Sequence, residues 1–243
     1  MQISIVVIHI ENPSYLQKRQ PHFDMNAPPA PEFSAPAANT VLHIQEMCFG
    51  YGKNRLFTQL SARIPSGVTL VRGGEDRGKT TLLRLLAGEF TPTAGKLSVN
   101  HISLHDQPTA YKQQVFWINP RSQSFDQVTP AGYFSSLPRT HPKFDHQLLG
   151  DLIQGLSLEQ HLEKALHMLS AGSKRKVWLA AAFASGAAVT LLDEPFAALD
   201  KASLGFVMEL LQEAAEHPSR AWVIADYQAP AEVPLAAIID LGD

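Results

Sequence analysis

Apolar positions along the chain fall into short runs separated by turn signals. Val41-Leu42-His43-Ile44-Gln45-Glu46-Met47 alternates in part, as a half-buried strand does. Phe49-Gly50-Tyr51-Gly52 reads as a turn bearing two aromatics. Leu56 to Ile64 predicts a second strand, Pro65-Ser66-Gly67 a turn, and Val68 to Val71 a short buried strand. Thr80 to Ala87 carries Leu82, Leu83, Leu85 and Leu86, which predicts a helix buried on much of its surface and stopped by Gly88. Thr91 to Gly95 turns into a strand over Lys96 to Val99. Val115 to Ile118 is the next strand, followed by a loop from Asn119 to Pro130 and a break at Pro138 to Pro142.

Residues 143–168 have leucines at helical spacing (Leu148, Leu149, Leu152, Leu156, Leu158, Leu162, Leu166), which predicts a small helical insert. An alanine-rich helix then runs to about Ala184, ended by Gly186. Val189 to Leu192 is a continuous apolar strand closed by Asp193-Glu194-Pro195. A further helix, capped by Asp200 or Ser203, continues to Ala215. Strands over Trp222 to Ala225 and Ala237 to Ile239 complete the pattern. Strands alternating with helices argue for an α/β domain with a mainly parallel sheet.

This domain is expected over residues 41–243, with the helical insert at about 122–170. Residues 1–40 read as a disordered or loosely packed segment, because Pro21 to Thr40 is rich in Pro and Ala and lacks a hydrophobic period. Translation from Met25 is compatible with that reading.

At 243 residues the chain holds one sizeable domain or two small ones. Its formal net charge of -3 advertises no nucleic-acid partner. Cys48 is the one cysteine, so no disulfide forms within the chain, as befits a reducing compartment. No stretch approaches the roughly 20 apolar residues of a membrane-spanning helix. The apolar opening, Met1 to Ile8, lacks the basic segment of a signal peptide.

The chemistry centres on Gly73-Gly74-Glu75-Asp76-Arg77-Gly78-Lys79-Thr80-Thr81, between a predicted strand and a predicted helix. That context makes G-x-x-x-x-G-K-[ST] a phosphate-binding loop. The backbone amides between the glycines can face phosphate oxygens, and the helix dipole adds to the attraction. Lys79 is placed to reach the outer phosphates and Thr80 to ligate Mg²⁺. The plainer alternative is a glycine turn before an ordinary core helix. Asp193, ending a buried strand, can hold Mg²⁺, and Glu194 stands next to it.

With Leu169-Ser170-Ala171-Gly172-Ser173 upstream of Leu191-Leu192-Asp193-Glu194-Pro195 and Ala198-Leu199-Asp200, residues 41–243 resemble the nucleotide-binding domain of ATP-binding cassette (ABC) transporters. The Leu-Ser-Ala-Gly form, Asp-Glu-Pro-Phe and the compact length look most like the ATPase subunit of the haem exporter of cytochrome c biogenesis. The resemblance implies a phosphate-loop NTPase with an antiparallel β subdomain and a small helical subdomain. It implies ATP and Mg²⁺ as ligands, and Glu194 as the base that polarises the attacking water. Ser170 and Gly172 would bind the γ-phosphate of ATP held by a second subunit, identical or not, in a head-to-tail dimer. Tyr51 would stack on adenine, and Asp200 would touch the facing subunit. A membrane-spanning partner is implied, with this chain cytoplasmic at the inner face of the membrane.

The pattern is broken in places. Asp76 stands where the family has glycine, and Arg77 where it has a small residue. The family's histidine after the last core strand falls at about Tyr227, or at Asp226. The glutamine expected after Val115 to Ile118 falls near Arg121 or Gln123, and Ser173 replaces the signature's last glutamine. The main expectation is an ATPase subunit that drives a transporter. The alternative is a degenerate cassette that binds ATP, hydrolyses little and completes a partner's site. A soluble cassette acting on ribosomes or DNA is disfavoured by the lack of a second cassette or basic arm.

Overall fold

The computed structural model describes residues 4–7 and 39–242. Ten strands and six α-helices follow in chain order: β1 (Ser4–Val7), β2 (Thr40–Tyr51), β3 (Asn54–Pro65), β4 (Gly67–Arg72), α1 (Lys79–Leu86), β5 (Ala94–Val99), β6 (Ile102–Ser103), α2 (Pro108–Gln114), β7 (Val115–Trp117), α3 (Pro130–Ser136), α4 (His146–Gly155), α5 (Ala171–Ala184), β8 (Val189–Asp193), α6 (Lys201–Ala215), β9 (Ala221–Ala225) and β10 (Leu235–Asp240). Six strands form a sheet in the order β1-β10-β4-β9-β8-β7, and every pairing in it is parallel. A second, antiparallel sheet has the order β3-β2-β5-β6.

The parallel sheet is covered on both faces, which is why its strands read as continuous apolar runs. Side chains alternate across it. Along β8 and β9, Val189, Leu191, Ala221, Val223 and Ala225 enter one core with the leucines of α1 and the buried face of the antiparallel sheet. Leu192, Trp222 and Ile224 point the other way, into a core with Trp178, Leu179 and Phe183 of α5 and Val207 and Leu211 of α6. The two cores wedge the strand ends between them, and the carboxyl ends of β4, β8 and β9 open side by side.

Thr190, fully buried on β8, has a hydroxyl without a hydrogen-bond partner among the described residues. A buried unpaired hydroxyl costs about 1–3 kcal/mol. Thr190→Val, which keeps the shape, is therefore expected to raise the melting temperature by about 2–4 °C for a domain of this size, as calorimetry would show. An unchanged or lower value would mean that the hydroxyl is satisfied.

Four expectations from the sequence are corrected. Phe49, Gly50 and Tyr51 belong to β2, and the turn is Gly52 and Lys53. Gly50 serves a close approach to the Asn54 carbonyl of the facing strand rather than a turn. The insert is broken, with α3, a 3₁₀ turn at Leu137–Arg139, then α4, then 3₁₀ turns at Glu159–His161 and Leu166–Met168. Leu156 and Leu158 are buried all the same, on either side of Ser157, whose positive φ of 54° lies just past the end of α4. Helix α2 was missed, since only Tyr111 of it is buried and no period shows. Within the segment read as a preface, Ser4–Val7 adds a parallel strand to the edge of β10, whose backbone groups would otherwise lack partners there. The Pro- and Ala-rich stretch and Met25 lie outside the described residues. Between the two candidate caps of α6, it is Asp200 whose Oδ1 accepts the Ser203 amide, at 2.9 Å.

Candidate functional site

Strand β4 ends at Arg72, and Gly73 to Gly78 lead into α1. Gly78 takes φ 88°, where a Cβ would meet Leu56. Asp76 takes φ 58°, a left-handed angle that aspartate tolerates better than most residues. The loop is anchored from behind: the Gly74 amide donates to the Gly242 carbonyl at 2.9 Å. The buried Lys79 ammonium donates to the carbonyl oxygens of Gly73 (2.6 Å) and Gly74 (2.9 Å). In the parallel sheet the neighbouring strand ends bring their carboxylates to the same place. Thr80 Oγ1 donates to Asp193 Oδ2 at 2.8 Å, so residues 113 apart in sequence meet. Burial pushes the Asp193 carboxyl up, and the Thr80 hydrogen bond works against that.

Glu194 is half-buried and has φ 46°. Its amide donates to the Ala225 carbonyl at 2.9 Å, which locks the end of β8 to the end of β9. Asp226 follows β9 and donates its amide to the Val71 carbonyl at 3.1 Å. Burial raises its carboxyl, amides of Tyr227 and Gln228 hold it down, and Glu194 and Lys79 are close enough to act on it. Tyr227 lies face-on to Lys79, with the ammonium 4.0 Å from the ring centroid. Partial desolvation, then the carboxylates of Glu75, Glu194 and Asp76, push its phenol above the ordinary value. Two acidic loop residues thus lie near the ring that covers Lys79. Arg77 forms no ion pair with either of them among the described residues.

Tyr51 is about half exposed, packs edge-on against Phe49 and Phe90, and its hydroxyl lies 3.1 Å from Thr81 Oγ1. The result is an aromatic platform beside the start of α1. Ser170 caps α5, its Oγ accepting the Ser173 amide at 3.1 Å. Gly172 abuts the Ala198 carbonyl so closely that a side chain has no room. Among the described residues neither has a hydrogen bond to residues 73–78 of this chain; the N-terminus of α5 instead packs on the segment after Glu194.

Lys79, Thr80, Asp193 and Glu194 therefore converge, Tyr51 flanks them, and Ser170 and Gly172 stand apart. Sequence reasoning passed over three neighbours. Asp226 was weighed only as a missing histidine. Arg121 was weighed as a missing glutamine, yet its guanidinium is close enough to lower the Asp193 carboxyl. Arg175 drew no reading at all. No spacing rule identifies them, because they come from separate elements: a loop after β7, the helix α5 and the end of β9. What the cluster can do follows from its groups: amides and an ammonium for phosphates, a hydroxyl–carboxylate pair for a hard cation, and a second carboxylate for a water.

Residues 57–197 match the family described as ABC transporter. The cytochrome c biogenesis ATP-binding export protein CcmA of Pseudomonas savastanoi pv. phaseolicola is 37% identical over 147 residues, 60% of this chain and 69% of that protein. The protein of the same name from Pseudomonas fluorescens is 32% identical over 170 residues, 70% of this chain and 79% of that protein. A solved structure described as the ATP-binding subunit of an ABC transporter superposes with a TM-score of 0.69 at 21% identity, covering 76% of this chain and 79% of that one. At that identity the likeness speaks for the fold.

Proposed function

The chain belongs to the ABC transporter family, and from that premise we propose that Lys79, Asp193 and Glu194 bind and hydrolyse Mg-ATP to drive a membrane partner. The observation that carries this reading is the Thr80–Asp193 hydrogen bond of 2.8 Å beside the Lys79 ammonium. It brings the loop for phosphates and the carboxylate for a cation into one cluster. With the Gly74 amide taken by the Gly242 carbonyl, the amides of Glu75 to Gly78 and the Lys79 ammonium hold the phosphates. Lys79 does so by leaving the carbonyls of Gly73 and Gly74, so the loop is already shaped around a compact ionic group.

The Thr80 hydroxyl and Asp193 carboxylate are hard oxygen donors side by side, a set that fits Mg²⁺. Bound there, Mg²⁺ would offset the phosphate charge. Glu194 orients the attacking water and takes up its proton at the carboxylate. Tyr51 provides a face for adenine. Ser170 and Gly172, which contact Ser173 and Ala198 rather than this chain's loop, serve the nucleotide of a second cassette subunit packed head to tail.

No helix among the described residues is long and apolar enough to cross a membrane. Coupling to the bilayer accordingly runs through a membrane-spanning partner, with this chain at its inner face. The relatives' names suggest export in cytochrome c biogenesis as the process served.

The test is calorimetric titration of the purified chain with ATP, followed by phosphate release with and without Mg²⁺. Heat on titration and magnesium-dependent release are expected. Absence of heat would end the reading, and binding without release would leave a cassette that only binds.

Tyr227 gives a further handle. A cation–π contact at an exposed site is worth about 0.5–1 kcal/mol, and Lys79 must leave the ring to meet phosphate. Tyr227→Ala is therefore expected to tighten ATP binding by about 2–5-fold. Weaker binding in the same titration would show instead that the ring contacts the nucleotide.

A further inference from the structure

Arg175 lies on the second turn of α5, one turn beyond Ser170 and Gly172. It does not point to solvent as a member of a basic run would. Its Nη1 donates to the main-chain carbonyl of Asp193 at 2.8 Å and to that of Glu194 at 2.5 Å. Burial lowers its pKa, and the nearby carboxylates of Glu194 and then Asp193 oppose that shift. A small cavity of about 20 Å³, one water in size, lies beside it, lined by Trp178, Leu179, Leu192 and Pro195 among others. A cation is thus drawn out of water to bind two backbone oxygens.

Those oxygens belong to a turn that does not hold its own shape cheaply. Glu194 and Ala198 both adopt positive φ, 46° and 61°. For a residue with a side chain the left-handed region costs roughly 1–2 kcal/mol. Such angles persist only where the surroundings over-determine them. Here the Ala225 carbonyl holds the Glu194 amide, and Arg175 holds the Glu194 carbonyl. The same stretch of α5 grips the turn twice more. Lys176 Nζ lies 2.6 Å from Asp200 Oδ2, and Gly172 seats directly on the Ala198 carbonyl.

We propose that Arg175 is a positioning residue for hydrolysis. It fixes the peptide planes of Asp193 and Glu194 so that the Glu194 carboxylate faces this chain's own nucleotide. It also ties that carboxylate to the helix whose N-terminus, Ser170 and Gly172, faces the partner subunit's nucleotide. A shift of that helix on dimer closure is thereby passed to the backbone of Glu194. The inference rests on the hydrolytic role proposed above.

Arg175→Met and Arg175→Lys in the full chain test it, beside the wild type. One Nη1 serves both carbonyls, so a lysine ammonium placed there can serve both as well. A misplacement of about 1 Å near the reacting atoms can cost 10²-fold. The methionine variant is expected to lose about 10–100-fold in kcat, with KM and the ATP dissociation constant within about 2-fold of wild type. The lysine variant should recover most of that kcat. Hydrogen exchange should rise at residues 194–199 in the methionine variant and stay unchanged in α1. If the methionine variant does not fold, Arg175→Gln, with a polar end and a similar stem, takes its place.

A kcat within about 2-fold of wild type would overturn the role, as would equal losses in kcat and ATP affinity. A folded lysine variant no faster than methionine, with exchange at 194–199 unchanged in both, would overturn it as well. Wild type that binds ATP without turnover would overturn the hydrolytic reading itself, and this inference with it.

Discussion

Glu194→Gln is expected to lower ATP turnover by about 10²–10⁴-fold while leaving ATP affinity within about 2-fold, since it deletes one positioned base and little else. The amide is nearly the size of the carboxylate. It can keep the half-buried site filled and preserve the unusual backbone at φ 46°, which is held through main-chain contacts to Ala225 and Arg175. What it cannot do is accept the proton of the attacking water. Asp226 is close enough to interact electrostatically with Glu194 and could in principle substitute. Burial raises its carboxyl, but its Oδ1 already accepts the Tyr227 amide at 2.7 Å, which holds it to its own loop. Single-turnover phosphate release, together with titration calorimetry, separates the two quantities. If ATP closes the proposed head-to-tail pair and hydrolysis reopens it, the variant should also accumulate as a dimer on size exclusion with ATP. Turnover within about 2-fold of wild type would remove Glu194 from its role and direct attention to Asp226.

Lys79→Met acts on the other half of the site and should weaken ATP binding by about 10²-fold. A hydrogen bond to a charged group is worth about 1.5–3 kcal/mol, and each 1.4 kcal/mol is tenfold in binding. The ammonium rests on two loop carbonyls and against the Tyr227 ring. Methionine keeps the length and the apolar stem, so the fold should change little. The contrast with Glu194→Gln is sharp: one variant loses affinity, the other loses turnover. Equal ATP affinity in Lys79→Met and wild type would place the nucleotide elsewhere.

The phosphate loop was legible because its chemistry is local. Nine consecutive residues carry the glycines, the lysine and the hydroxyls, and the buried strand and helix around them follow from short-range periodicity. Asp193 and Glu194 were legible for a similar reason: an apolar run that stops in two carboxylates marks a strand end. The broken helical insert was not legible. Its leucines keep helical spacing, yet α4 ends at Gly155, Ser157 takes a positive φ, and Leu156 and Leu158 on either side of it are both buried. Hydrophobic period reports burial, and burial does not require one continuous helix.

The order of motifs along the chain was enough to point to the family, to the glycine loop between a strand and a helix, and to the pair of carboxylates at a strand end. Tertiary structure alone determined that β8 and β9 lie beside β4, and hence that Thr80 touches Asp193, that Tyr227 covers Lys79 and that Arg175 grips the backbone of Glu194. The physical reason is range. Backbone preference and amphipathic period act over a few residues, whereas these contacts join residues from 19 to 148 positions apart. Such residues meet only because two cores on opposite faces of one sheet hold the strand ends in register.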